Sequence, residues 1–286
     1  MRISRSLVAK SLLAVQIIAL IPALSMSSAT AAPGDSIAMY FSAPFVTGSH
    51  VTESATTETF NNFSAGNCPS TWAVGTVTNS GGECQVSVVS GTSPGNSEPA
   101  VGEPLSNYLS RANTTAVTFP NPVKYVGFWW MMGSTGNTVV FKDSGGTSIA
   151  TMNANDVMTY LGVSYAGLTN ADTVTVPRVD GGTHLRKRYF RSPGNYTGTV
   201  DNPIMDYNAT TYANEPWVYL NLFVSGNVDV NSIVFSGSNY EIDNLTVATT
   251  EAGPRGDLVL VKNVLLQNLV KAVNQAGYDV SHIFYT

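Results

Sequence analysis

The sequence predicts an all-β fold, a two-sheet antiparallel β-sandwich of jelly-roll type with a short C-terminal helix. Three observations point there. In Trp217 to Val224, apolar Val218, Leu220, Leu222 and Val224 alternate with Trp217, Tyr219, Asn221 and Phe223, the period of a strand with two distinct faces. Runs of this kind are short and separated by turn formers such as Ser225-Gly226-Asn227 and Gly237-Ser238-Asn239. Helical periodicity is almost absent between them, which favours two packed sheets over layers of helix and sheet.

Taken in order, the chain divides into residues 1–31, a signal peptide, residues 32–250, the sandwich, and residues 251–286, a helical tail. Arg2, Arg5 and Lys10 form a basic start, Leu12 to Leu24 an apolar centre, and Ala29-Thr30-Ala31 a small-residue cleavage site, which together define a secretory leader. Ser36 to Phe45 reads as a first strand, Gln85 to Val89 as a short one, and Thr115 to Phe119 as one stopped by Pro120 and Pro122. Lys124 to Met132, with Tyr125-Val126-Gly127-Phe128-Trp129-Trp130 inside it, is apolar on both faces. It is therefore either a central strand covered twice or a strand with one face offered to a ligand. Gly133 to Gly136 turns it into Asn137 to Phe141 as a hairpin, Asp143-Ser144-Gly145-Gly146 turns again into Ser148 to Met152, and Asn153 to Tyr160 reads as a short helix with an Asn cap and a Gly162 stop. Ile233 to Phe235 and Ile242 to Val247 complete the sheets. In the tail, Asp257 is placed to cap a helix over Leu258 to Gln275.

Removing the leader takes three of the 14 basic residues and none of the 19 acidic ones, so the mature net charge is 11 − 19 = −8. Such a chain is not expected to bind nucleic acid, and no further stretch is apolar enough to span a membrane. Cys68 and Cys84 are the only cysteines; in an oxidising compartment a lone pair predicts one disulfide. The expected location is extracellular or at the cell surface.

Glu58-Thr59-Phe60, Val126-Gly127-Phe128-Trp129-Trp130, Gly136-Asn137-Thr138, Glu215-Pro216-Trp217-Val218-Tyr219-Leu220-Asn221 and Glu241-Ile242-Asp243-Asn244-Leu245-Thr246-Val247 occur in that order. This series, over about residues 55 to 248, resembles the secreted β-sandwich domains of bacterial exosortase-sorted (PEP-CTERM-type) surface proteins. The resemblance implies a sandwich similar to carbohydrate-binding modules. The Pro-Glu-Pro signal, membrane span and basic cap that usually end that family do not occur in residues 249–286.

Four sets of residues carry chemistry. Asp243 shares strand parity with Leu245 and Val247, so it is expected to face the core and to need a partner there. The resemblance to carbohydrate-binding modules implies a structural calcium ion held by Glu58, Asp243 and Asn244, with Asn61 nearby; the alternative is that Asp243 caps backbone amides. Trp217, Tyr219 and Asn221 share one strand face and, with Trp129, Tyr189 and Tyr196, form either a stacking platform for a polysaccharide or cell-surface glycan, or a second core. Arg178, Arg186, Lys187, Arg188 and Arg191 place five cations within 14 residues, a candidate reader of an anionic polysaccharide or of an acidic protein surface. Tyr189-Phe190-Arg191-Ser192-Pro193-Gly194-Asn195-Tyr196 also resembles the Y-F-K-A-G-x-Y segment of jelly-roll alginate lyases, although the R-x-E-L-R and Q-I-H motifs that should precede it are absent. No nucleophile elbow, zinc-protease motif or phosphate loop is present. The functional expectation is a non-enzymatic surface protein that binds glycans, with a self-associating structural protein and a uronate lyase as alternatives.

Overall fold

The computed structural model describes residues 35–44, 46–80, 84–88, 107–110, 114–131, 136–163, 173–190, 216–237 and 240–264. In chain order the first strands are β1 (Ser36–Phe41), β2 (Ala55–Glu58), β3 (Gly66–Asn67), β4 (Thr71–Trp72), β5 (Gly75–Ser80), β6 (Gln85–Val88) and β7 (Asn107–Ser110). Then come β8 (Thr114–Val123), β9 (Tyr125–Met131), β10 (Thr138–Lys142), β11 (Ser148–Asn153) and helix α1 (Ala154–Tyr160). A hairpin of β12 (Thr175–Pro177) and β13 (Thr183–Leu185) leads into a 3-10 turn, Arg186–Phe190. The last strands are β14 (Trp217–Ser225), β15 (Val230–Ser236), β16 (Glu241–Ala248) and β17 (Val259–Asn263).

These strands form the expected antiparallel sandwich. The larger sheet runs β17-β1-β14-β9-β16-β7-β6-β3, with β2 also paired to β16; the smaller runs β11-β10-β15-β8-β5-β4. The alternation read from the sequence over Trp217 to Val224 holds. Val218, Leu220, Leu222 and Val224 of β14, with Val126, Phe128 and Trp130 of β9, face Val117, Val139, Phe141, Ile233 and Phe235 of the smaller sheet. Phe128 meets Phe235 edge to face at 5.1 Å between ring centres, a contact that spans the two layers. α1 has the expected cap: Asn153 accepts from the Asp156 amide and Asp156 reaches back to the Asn153 amide. Gly162 supplies the left-handed residue (φ 65°) after it.

β9 and β10, expected as one hairpin, lie in different sheets: β9 pairs with β14 and β16, and β10 with β11 and β15. Three further expectations are corrected. β8 does not stop at Pro120; it continues to Val123. β5 pairs only with residues 114–118 of β8, and the β8 register with β15 slips beyond Thr118. Pro120 and Pro122 therefore lie exposed in an irregular stretch, where their missing amides cost no ladder bond. The helix expected from Leu258 is a strand over Val259–Asn263, paired with β1 at the edge of the larger sheet. A short apolar run is ambiguous between helix and strand, and the open edge of β1 supplied the partner; helix begins only at Val264, and residues 265–286 lie outside those described. The Lys262 ammonium donates to the Thr151 carbonyl at 2.8 Å, tying β17 to the edge strand of the other sheet.

The third correction concerns Asp243. Between Asp243 and Thr246, β16 takes three steps while β9 takes two, from Trp129 to Gly127. This is a β-bulge, with Asn244 in the left-handed region at φ 50°. It reverses the side-chain parity, so Leu245 and Val247 face the inter-sheet core while Asp243 lies across from Trp129 on the opposite face.

β9 sits between β14 and β16, buried on both faces. A Cβ on Gly127 would lie 2.1 Å from the Tyr125 hydroxyl and 2.8 Å from Tyr219 Cε1, so the two phenol rings need glycine between them. Gly127→Ala is expected to lower stability by about 3 kcal/mol or more, read as a shift of the urea midpoint; an unchanged midpoint would show that the rings can part.

Candidate functional site

The face of the larger sheet turned away from the inter-sheet core carries the residues singled out for recognition. Register arranges them in cross-strand rows: Tyr219, Trp129 and Asp243 in one, Asn221, Gly127 and Thr246 in the next, Phe223, Tyr125 and Ala248 in the third. Alternation along β9, β14 and β16 thus brings together the expected Trp217, Tyr219, Asn221 and Trp129. They are not an open platform. Trp129 and Trp217 are 2% exposed, Tyr219 1% and Asn221 0%, so the second-core alternative is the one the structure shows. A sugar ring stacks on an accessible aromatic face, and none is offered by these residues.

What occupies the face is a hydrogen-bonded polar core. The Ser49 hydroxyl donates to the Tyr125 oxygen at 2.8 Å, Tyr125 donates to Asn221 Oδ1 at 2.7 Å, and Asn221 Nδ2 donates to the Ser42 hydroxyl at 2.9 Å. Beside this chain the Tyr219 hydroxyl lies 3.2 Å from both the Asn244 carbonyl and the Thr246 hydroxyl. Thr246 in turn meets Thr57 of β2 at 2.9 Å. The connector after β1 closes over this end of the face. Ser42, Ser49 and buried Val51 lie on it, and its Thr47 carbonyl accepts from Asn244 Nδ2 at 3.0 Å. Burial pushes the Tyr125 and Tyr219 hydroxyls well above the ordinary tyrosine value, so both remain neutral donors. At the other end Trp129 and Trp217 pack edge to face at 6.4 Å, their indole N–H groups without partners.

The expected calcium ligands do not converge. Glu58 is opposite Leu245 in the β2–β16 register and so shares its inward face, whereas Asp243 is on the outer one. Each Glu58 oxygen accepts a backbone amide: Oε1 from Phe60 at 2.9 Å and Oε2 from Ala73 at 2.7 Å. The first of these holds Phe60 at φ 58°, a conformation unusual for a bulky residue, with its ring edge-on to Trp72 at 5.0 Å. Asp243 accepts from the Asn244 amide at 2.7 Å, which supports the bulge, and Asn244 spends its amide on Thr47. Among the described residues no three His, Cys, Asp or Glu side chains cluster in a way that could hold a metal ion. The Cys68–Cys84 disulfide is present as expected and joins the ends of β3 and β6.

In the basic segment, Tyr189 stands edge-on to His184 at 6.4 Å, the neighbour a lyase would require. Its hydroxyl, however, is buried and donates to the Ser42 carbonyl at 3.0 Å, while His184 Nε2 is 2.8 Å from the Asp257 carbonyl. The pair anchors the 3-10 turn on the sandwich. Arg188 is half-buried on that turn; Arg191 and Tyr196 lie outside the described residues. Arg186 donates to the Leu161 and Gly162 carbonyls at 3.1 and 2.6 Å, closing the C-terminus of α1.

Two half-buried histidines hold the segment between β16 and β17: His50 Nε2 is 3.3 Å from the Gly253 carbonyl, as His184 is near that of Asp257. Burial lowers both pKa values. Arg255 adds to the effect at His50, and Arg178 and Arg188 at His184, against the upward pull of the carbonyl bonds and of Asp257. Sequence reasoning placed His184 only in the basic segment and beside Tyr189 and gave His50 no role, because each meets its carbonyl partner across more than 70 residues. It also missed Tyr125 and Gly127; reading β9 and β14 side by side, two residues at a time, would have placed both on the face of Asn221.

No protein-family model matches the chain, and no curated protein matches it in sequence.

Two outcomes follow. Glu58→Gln is expected to cost about 1.5 to 3 kcal/mol, equally in calcium and in chelator, by chemical denaturation; a loss confined to calcium-containing buffer would restore the metal reading. The depressed histidines make the unfolded chain take up protons first, so stability is expected to fall as the pH drops below about 6.5 and to level off once the folded-state values are passed. Thermal midpoints of wild type and of the His50→Gln, His184→Gln double variant between about pH 7.5 and pH 5.5 check this; identical slopes would contradict it.

Proposed function

We propose that this chain works outside the cytoplasm as a non-catalytic β-sandwich module of the bacterial cell surface or matrix. The observation that carries this reading is the sealed outer face of the larger sheet. The phenol, amide and hydroxyl groups of Tyr125, Tyr219, Asn221 and Tyr189 that could recognise or process a substrate are spent on one another and on the backbone, and the Trp129 and Trp217 rings are buried. Their chemistry serves rigidity, which suits a module that must persist where no chaperone reaches it. The leader-like residues 1–31 and the Cys68–Cys84 disulfide support an oxidising compartment. Among the described residues no helix is long and apolar enough to cross a membrane. The ordered motifs shared with exosortase-sorted surface proteins support the same setting.

Self-association by strand addition is the less favoured form of this role. β17, at one edge of the larger sheet, is five residues long, pairs with β1 through a register shift and carries Lys262. Short length, irregularity and lysine are the features that keep an edge from pairing with a second chain.

The test is a fusion of residues 1–40 to a phosphatase that is active only when oxidised, together with the full chain incubated with neutral and uronic-acid polysaccharides. Export with cleavage near Ala31, an oxidised Cys68–Cys84 pair and no release of sugar ends are expected. A reduced, retained chain, or the appearance of unsaturated uronate ends, would overturn the proposal.

A further inference from the structure

One corner of the molecule remains unexplained by the sealed sandwich. The β12–β13 hairpin docks on the segment before β17, with the Val179 amide donating to the Leu258 carbonyl at 2.8 Å and the Asp180 amide to that of Gly256 at 2.9 Å. His184, opposite Val176 in the hairpin, reaches the Asp257 carbonyl. The 3-10 turn follows directly and is pinned by the Tyr189–Ser42 bond. Three segments distant in sequence are thus held together by backbone and imidazole bonds.

This corner is basic in an acidic chain. Residues 173–190 and 251–258 carry Arg178, Arg186, Lys187, Arg188 and Arg255 against Asp180, Glu251 and Asp257. Glu251 is turned away to the Gly226 amide at 2.8 Å. Arg186 is committed to the end of α1. Arg255 is held in a two-pronged pair with Asp257, at 3.1 and 2.8 Å, and Arg178 pairs with Asp180. A guanidinium has five N–H donors, so a carboxylate two residues away fixes its plane while leaving donors for an outside anion. Arg188 has no carboxylate partner among the ion pairs of the described residues.

We propose that this corner binds an acidic polysaccharide, its carboxylate or sulfate groups taken by Arg178 and Arg188 beside His184 and by Arg255 on the adjoining segment. The inference rests on the extracellular, non-catalytic reading and names what such a module would hold. A polysaccharide fits better than the alternatives. Duplex nucleic acid presents dense charge that the acidic remainder of the chain repels. A protein interface needs an apolar centre, whereas Val174 and Val179 are single exposed side chains on either side of β12. Sparse anions along a flexible sugar chain match cations presented from three separate segments, and planar guanidinium suits carboxylate and sulfate. The groups around His184 agree: it is flanked by Arg178 and Arg188, with Asp257 opposing and Tyr189 at its edge. An anion there would relieve the cationic crowding.

The experiment is retention of the mature chain on immobilised polyuronate, on a sulfated glycan and on neutral dextran at low salt, followed by salt elution. Retention on one or both acidic polymers and none on dextran is expected. The Arg178→Ala, Arg188→Ala, Arg255→Ala variant should lose at least about tenfold in affinity, and the corresponding triple Lys variant should bind at an intermediate level. Because Arg178 and Arg255 also brace their loops, Arg188→Glu alone is measured as well, with circular dichroism and thermal midpoints confirming the fold of each variant. No retention of wild type, or equal retention of folded Arg188→Glu and triple Ala variants, would overturn the site. A dimer that the triple variant dissociates, without polymer binding, would assign the corner to a second copy instead. Failure here leaves the exported, non-catalytic module standing, whereas cleavage of the immobilised polymer would end that reading.

Discussion

The hydrogen bond from Tyr125 to Asn221 is the constraint around which the larger sheet is built. Both residues lie on a face with no access to water, where an unpaired phenol or amide would cost about 1 to 3 kcal/mol each. Tyr125 is opposite Phe223 and must lean one row along the sheet to reach Asn221. That path passes over Gly127, where no side chain stands in the way. Asn221 then needs the Ser42 hydroxyl and Tyr125 needs Ser49, so the connector after β1 must lie across the sheet. A single polar pair thereby dictates a glycine on β9, two serines on a loop and the closure of one end of the face.

The same logic governs the carboxylates. Glu58 and Asp243 look alike in the sequence, and both lie at the Leu245 end of the β2–β16 pairing, yet each answers a local backbone demand. Glu58 satisfies two amides at a turn that holds Phe60 in a left-handed conformation. Asp243 satisfies the amide of Asn244 where the strand bulges. A buried carboxylate is acceptable when backbone donors surround it, and backbone irregularities are where such donors become free. The acids therefore mark defects in the sheet, and the defects let one strand pair with β7 over its first half and β2 over its second.

On the proposed reading, recognition falls to the hairpin, the 3-10 turn and the segment ahead of β17, which the sandwich holds in place but does not fully bury. His50 and His184 are well suited to this joint because a neutral imidazole can donate to a carbonyl without bringing a charge into a half-buried position. Their burial and the neighbouring arginines keep them neutral, so the rim is held by bonds that neither add to nor cancel its basic character.

Strands β2 to β5, β7, β12 and β13 were not legible in the sequence; it did determine the class of fold, the longer strands of both sheets, both faces of β14, the capped helix and the disulfide. Each of these depends on patterns within a few residues or on a cysteine count that permits one pairing. It was ambiguous wherever a partner strand had the deciding vote. Leu258 to Val261 read as helix until the edge of β1 was there to pair with it. Pro120 and Pro122 read as a stop until β5 proved too short to need their amides. Asp243 read as core-facing because parity assumes an unbroken strand, and the bulge at Asn244 is visible only against β9. The fate of the aromatic face was likewise a tertiary decision. Alternation places Trp217, Tyr219 and Asn221 together, but the partner that closes over Asn221 is a loop about 175 residues away in the chain, and chain order carries no record of that distance in space.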